Sequence, residues 1–364
     1  MGNPNHWLDG TTPSIRGVTD VAHRIVAAAS STDTNRARSF LANIGAPTES
    51  APYAELVRDQ NVNIIYVATP HSHHFQNVML AIQAGKPLAV NARQARRVFE
   101  AARTGKVFLM EAVWIRFFPL SIQIRELVST SVIGHVVRVI ADLSHNHSAE
   151  DPTKLNVPDS HRLTSIELVG GSLLDIGIYA VSWIFQLLYH LQAGDDKEMP
   201  QVLASSHRYS TGVDKSTAAI LSFVKHENLG IATSSLQVAT DPDGHANHAA
   251  VRIQGTRGEI EVAPPTYRPE SYKVMKRDGR VEVVKCTIPQ DPERKWGYGT
   301  FWEADECARC IRDGRLESVT MPHSESICVV EVLDTIRQQS GIEYPDLITT
   351  EQFDPQSPLN GGKG

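Results

Sequence analysis

From residue 21 onward the chain alternates short apolar runs with amphipathic stretches, the pattern of a parallel sheet covered by helices. Residues 23–29 read as a buried strand, and residues 34–44 as a helix that Gly45 stops. Residues 63–68 read as the next strand. A helix over 75–84, closed by Gly85, leads through Pro87-Leu88-Ala89-Val90 into a helix over 92–104, which Gly105 ends, and residues 107–110 read as another strand.

Beyond Trp114 the period changes. A helix over 119–129 is followed by a strand over 136–143 and by a strongly apolar helix over 173–188. Alternating runs then recur at 202–209, 218–223, 231–238, 251–254 and 259–262, separated by turns rich in Gly, Asp and Asn, which predicts a largely antiparallel sheet. Residues 303–312 and 324–338 are helical in pattern, and the tail after Asp346 is loop-like. The expectation is an α/β Rossmann-like domain over 1–117 and an α+β domain with an open, mainly antiparallel sheet over 118–364.

Composition narrows the partners. The 364 residues are 41% hydrophobic with a net charge of -6, which suits a sizeable core and about two domains. No block of Lys and Arg concentrates positive charge, so a small molecule is expected as the partner, and neither nucleic acid nor an anionic membrane surface. The first thirty residues lack the apolar segment of a secretory signal, and the apolar run 176–188 is interrupted by Tyr179, Ser182 and Gln186. A cytoplasmic protein without a membrane segment is expected. The four cysteines make no disulfide framework, and Cys307-x-x-Cys310 lies inside a helical pattern without a second pair, so plain thiols are expected.

Three motifs stand out in order. They are Ile64-Ile65-Tyr66-Val67-Ala68-Thr69-Pro70-His71-Ser72-His73-His74, then Met110-Glu111-Ala112-Val113-Trp114 with Arg116-Phe117-Phe118-Pro119, then Gly170-Gly171-Ser172-Leu173-Leu174-Asp175-Ile176-Gly177-Ile178-Tyr179. Together they resemble the Gfo/Idh/MocA oxidoreductases, and within that family the fungal D-xylose dehydrogenases and the dimeric dihydrodiol dehydrogenases. The similarity runs from about Ser14 to the C-terminus. It implies a Rossmann domain that holds NADP and an open sheet whose concave side meets the nicotinamide. It also implies a sugar or trans-dihydrodiol substrate and a homodimer formed through the sheet.

Asp175 and Tyr179 are four residues apart, so one helix presents both from the same face, an acid one turn from a phenol. On spacing alone the better reading is that Tyr179 packs in the core while Asp175 caps a turn. The resemblance instead gives Tyr179 the proton transfer that accompanies hydride removal from a carbinol carbon, with Asp175 beside it. Thr69, Pro70, His71 and His74 follow the strand at 63–68, and ligands in open α/β sheets lie beyond the carboxyl ends of strands. The resemblance puts this segment under the cofactor; His74 capping the following helix is the alternative. The spacing of His71, His73 and His74 does not bring three nitrogens to one side of an extended segment, and no carboxylate accompanies them, so no metal is expected.

Ser30, Ser31 and Arg36 follow the strand at 23–29, where an NAD-specific protein usually carries an acid for the ribose 2′-hydroxyl. Hydroxyls and an Arg suit a 2′-phosphate, which favours NADP; alternatively Ser30 is a helix cap and Arg36 a solvated residue. Trp114, Arg116, Phe117 and Phe118, with His161 and Arg162, either line a polyol pocket or form a buried cluster between domains.

Two departures from the family pattern stand out. The family opens with a strand and a G-x-G-x-x-G-like loop that cradles the pyrophosphate, whereas residues 1–20 hold only Gly2, Gly10 and Gly17. The family also carries a catalytic lysine in a Glu-Lys-Pro or Glu-Lys-Ala segment, where this chain runs from Gly85-Lys86-Pro87 straight into Leu88-Ala89-Val90-Asn91. Lys86 enters that strand at its amino end, away from the ligand side. Turnover is therefore expected to be weak or absent, and a non-redox binding or partner protein is the alternative.

Overall fold

A computed structural model describes residues 17–30, 34–43, 46, 52–83, 91–151, 153–290 and 297–360. Among the described residues the longer helices are α1 Thr34–Asn43, α2 His74–Gln83, α3 Ala92–Gly105, α4 Pro119–Ser129, α5 Ile178–Leu188, α6 Phe301–Arg312 and α7 His323–Gln339, beside the single turns Tyr53–Leu56 and Asp346–Thr349. The strands are β1 Val136–Ser144, β2 Gln201–Arg208, β3 Asp214–Phe223, β4 Asn228–Ser235, β5 Val251–Gly255, β6 Gly258–Val262, β7 Ser271–Lys276 and β8 Val281–Lys285.

The chain divides into two units. One is formed by the chain up to Trp114, Ile288–Ile327 and the chain from Asp346; the other is Ile115–Thr287 with Cys328–Pro345. The expected assignment of all of 118–364 to one domain is corrected by this division, because two late segments return to the first unit. Side chains on α6 explain one return. Asp305 binds His23 at 2.8 Å, and Arg309 and Arg312 bind Asp20 at 2.9 and 3.0 Å. These partners lie far apart in the chain, so no local pattern announces them.

In the first unit, α3 begins where Asn91 Oδ1 accepts the amide of Gln94 at 2.8 Å, closing one of the open donors of the helix start. Its apolar stripe, Ala95, Val98, Phe99 and Ala102, is buried against Phe75, Val78 and Ile82 of α2. Each large apolar side chain so buried contributes about 1.5–3 kcal/mol. His323 completes this core by donating from Nε2 to the carbonyl of Leu109 at 2.8 Å while its ring stacks on Phe99.

The strands expected at 23–29, 63–68 and 107–110 carry no ladder among the described residues. The short glycine-poor segment 1–16, Ser31, and the segment 84–90 lie outside the described residues.

The second unit is built on one sheet of order β2-β3-β4-β1-β5-β6-β7-β8. β1 runs parallel to β4 and every other pair is antiparallel. The open, mainly antiparallel sheet thus agrees with expectation, although β7 and β8 were not anticipated. The apolar helix α5, buried from Ala180 to Leu188, lies across β1 and β4. Their approach is so close that a Cβ on Gly230 of β4 would stand 2.4 Å from Ile184 Cγ2. Gly230 is paired with Val139, so the buried Val139, Ala141 and Leu143 of β1 share this covered face. The segment Ile166–Leu188 is long and apolar enough to cross a membrane, yet 72% of its most apolar window is buried inside the protein.

The opposite face carries a cross-strand row. Leu203 pairs with Ile220, Ile220 with Ile231, and Ile231 with Ile140. Leu203 and Ile220 are 70% and 43% exposed.

Candidate active site

The Gly170-Gly171-Ser172 stretch enters the helix that carries Asp175 and Tyr179, but the entry is not α-helical. Leu173–Gly177 forms a wide π turn, and only from Ile178 does the α-helix run. The expected single α-helix over 173–188 is corrected accordingly: Asp175 sits in the π turn and Tyr179 in the first turn of α5. A π turn holds more residues per turn than an α turn and occurs often at functional sites.

Arg162 reaches Asp175 from the preceding loop, with Nη1 to Oδ1 at 2.5 Å and Nη2 to Oδ2 at 3.4 Å. The structure therefore brings Arg162, expected as a substrate residue, onto the carboxylate. Its neighbour His161 is half-buried and accepts the amide of Leu163 on Nδ1 at 3.3 Å. Burial, then the charge of Arg162, lower the His161 pKa, so its ring is neutral at pH 7.

Tyr179 is half-buried. Its ring lies 6.1 Å from that of Tyr267, which in turn lies 5.8 Å from His145. Burial is the main cause that lowers the His145 pKa, followed by His147, against the pull of Asp175 and Asp142. Asp142 accepts hydroxyl protons from Ser144 at 2.9 Å, from Thr233 at 2.6 Å and from Thr240. Tyr267, His145 and Asp142 were not anticipated from sequence. The one local signal was His145-x-His147 directly after β1; Tyr267 follows β6, far along the chain.

In the first unit, Thr69, Pro70 and His71 lead into the short 3-10 turn His71–His73. His74 donates from Nε2 to the carbonyl of Thr69 at 2.8 Å, and burial pushes its pKa down to about 3. His74 thus braces the loop that precedes its helix. His73 Nδ1 is taken by the hydroxyl of Ser72 at 2.8 Å. Among the described residues no group of three metal-ligating side chains occurs. The hydroxyl of Thr69 is buried without a hydrogen-bond partner, which is the one orphaned polar atom on this loop. That orphan fits a dinucleotide presenting an amide or hydroxyl there.

Ser30 is half-buried and Arg36 is exposed on α1, and no contact joins them among the described residues. Trp114 stacks on Tyr298 with ring centres 6.2 Å apart. Arg116 is 1% exposed and Phe117 6%. This burial is compatible with the buried cluster that was the alternative to a polyol pocket.

The chain matches the oxidoreductase family with an NAD-binding Rossmann fold over residues 13–113, and the GFO/IDH/MocA C-terminal domain over residues 121–261. It is 53% identical over 360 residues to the NADP(+) D-xylose 1-dehydrogenase of Hypocrea jecorina, covering 96% of this chain and 92% of the relative. It is 31% identical over 339 residues to the trans-1,2-dihydrobenzene-1,2-diol dehydrogenase of Danio rerio, covering 92% and 93%. Among solved structures, levoglucosan dehydrogenase, in complex with NADH and levoglucosan, superposes with a TM-score of 0.75 at 17% identity, over 93% of this chain and 94% of that one. That last likeness speaks for the fold alone. With both domain matches and a relative identical at more than half of the aligned positions, the chain belongs to the Gfo/Idh/MocA oxidoreductase family.

Proposed function

We propose that this protein is an NADP-dependent dehydrogenase that oxidises D-xylose to its lactone, or a related sugar or trans-dihydrodiol, by hydride transfer. The observation that carries the reading is the 53% identity to the fungal D-xylose dehydrogenase across 96% of the chain, with Asp175 and Tyr179 retained on the π turn and the helix after it. The bound nicotinamide would accept the hydride from the carbinol carbon. Thr69, Pro70 and His71, with Ser30, Ser31 and Arg36, are the residues that would hold the cofactor, the hydroxyls and Arg36 serving a 2′-phosphate.

This chain supplies the proton chemistry. Tyr179 would take the proton of the reacting hydroxyl, while Asp175, held by Arg162, orders the hydrogen bonds around it. A phenol's ordinary pKa of about 10 makes it a weak base at neutral pH unless a nearby cation lowers it. The family's lysine has no match in the sequence between Ala84 and Asn91, so turnover should be slow. Tyr267 offers an aromatic face to the C–H side of a sugar ring, and Trp114 is a second candidate for that contact.

The row Leu203, Ile220, Ile231 and Ile140 supports a homodimer joined sheet to sheet, since an apolar strip across four strands gains by leaving water. A cytosolic location fits the same reading.

Isothermal titration with NADPH, followed by NADPH formation on adding D-xylose, tests the proposal. Saturable cofactor binding and slow reduction are expected. No binding at millimolar cofactor would remove the dehydrogenase reading and leave the binding or partner role.

A further inference from the structure

Asp214 opens β3 and is completely buried. Its Oδ2 accepts three hydrogen bonds: from the hydroxyl of Ser172 at 2.6 Å, from the amide of Leu173 at 2.7 Å and from the hydroxyl of Thr217 at 3.0 Å. Ser172 accepts in turn from the hydroxyl of Ser234 on β4 at 3.0 Å. The carboxylate thus ties β3 and β4 to the first residues of the π turn that holds Asp175.

The backbone is shaped to admit it. Gly171 has φ +112, and a Cβ there would stand 2.2 Å from Asp214 Oδ1. Only glycine adopts that conformation readily while leaving room for the carboxylate. Burial raises the Asp214 pKa, against the hydrogen bonds from Ser172, Leu173 and Thr217. A buried carboxyl group is costly for a fold to keep unless its hydrogen bonds hold something in place.

From these contacts we infer that Asp214 is a positioning residue for the reaction: it holds the Leu173–Gly177 turn in its wide form and so sets the orientation of Asp175 relative to Tyr179. An α turn in its place would rotate Asp175 about the helix axis relative to Tyr179 and away from Arg162. Asp214 touches neither substrate nor cofactor in this account. Its effect reaches the chemistry through Ser172 and Leu173.

The inference rests on the proposed dehydrogenase activity for its kinetic readout, and a second readout stands without it. In Asp214→Asn, Ser172→Ala and Thr217→Val, kcat for NADP reduction by D-xylose should fall on the order of tenfold to a hundredfold, as small misplacements of reacting groups do. The KM for NADP should stay unchanged, and Asn, which keeps an acceptor oxygen, should lose less than Asp214→Ala. Independently of turnover, hydrogen exchange should quicken within 173–179 in each variant while the amides of β2 and β3 stay protected. Faster exchange across the whole sheet, or exchange at 173–179 equal to wild type, would overturn the inference. An inactive wild type whose variants still loosen 173–179 alone would count against the proposed activity and leave the clamp standing.

Discussion

Arg162 grips Asp175 with both terminal guanidinium nitrogens, although the two residues stand thirteen positions apart in the chain. The Arg side chain is 44% exposed and the Asp side chain 17%, so the pair contributes at most about 1 kcal/mol to stability. Its worth lies in orientation: a two-pronged guanidinium fixes the plane of the carboxylate as a single ammonium would not. Arg162→Ala is therefore expected to lower kcat on the order of tenfold with little change in melting temperature, and Arg162→Lys should restore only part of the loss. Steady-state NADPH formation beside a thermal melt reads both. Full activity in the alanine variant would show that the pair is ornamental.

Tyr179→Phe removes one oxygen and keeps the ring beside Tyr267. If the phenol moves the proton, kcat should drop by about two to four powers of ten, while the unfolding midpoint in urea barely shifts. Retention of activity within a factor of about two, well inside what general acid–base catalysis contributes, would assign the proton to another group.

His74 makes the fold acid-sensitive. Burial first, then the charge of His71, depress its pKa from 6.5 to about 3, against the hydrogen bond to Thr69. The unfolded chain takes up a proton near pH 6.5 that the folded chain refuses, so the stabilisation is complete above that pH and is lost on acidification through the window down to about 3. The slope for one proton is about 1.4 kcal/mol per pH unit. His74→Gln, which can still donate to the Thr69 carbonyl, should flatten the dependence by up to that amount in denaturant titrations at pH 7, 6 and 5. An unchanged slope would mean that His74 is protonated in the folded state.

The apolar row on the open sheet face makes a separate forecast. Leu203→Asp with Ile220→Asp places two charges on a strip that should meet its copy. Light scattering should show the wild type as a dimer and the double variant as a monomer of unchanged helix content. A monomeric wild type at high concentration would dissociate the strip from assembly.

Where local chemistry decides structure, the sequence was legible. α4 was expected at 119–129 and is found there, because Pro119 suits a first helical position and the apolar spacing continues without a break. The strands from β1 to β6 followed from alternation between turn residues. β8 escaped because its residues are nearly all exposed and no buried face imprints a period. At the site, Asp175 and Tyr179 came from the motif. The π turn, the Arg162 pair and the approach of Tyr267 and His145 depend on contacts made across loops, which leave no periodic trace.

The single parallel pairing in the second unit has a bearing on how the chain assembles during synthesis. β2, β3 and β4 are sequential hairpins, as are β5 to β8, and each group can form from neighbours in the chain. β1 is made before any of them, yet it hydrogen-bonds to Leu229–Ser235 on one flank and to Val251–Gly255 on the other. One edge stays bare until Leu229–Ser235 has been made and the other until Val251–Gly255 has followed. A nascent chain that stalls before residue 255 would therefore carry an unsatisfied strand open to capture by other chains, which makes this step the one where a chaperone would be of most use.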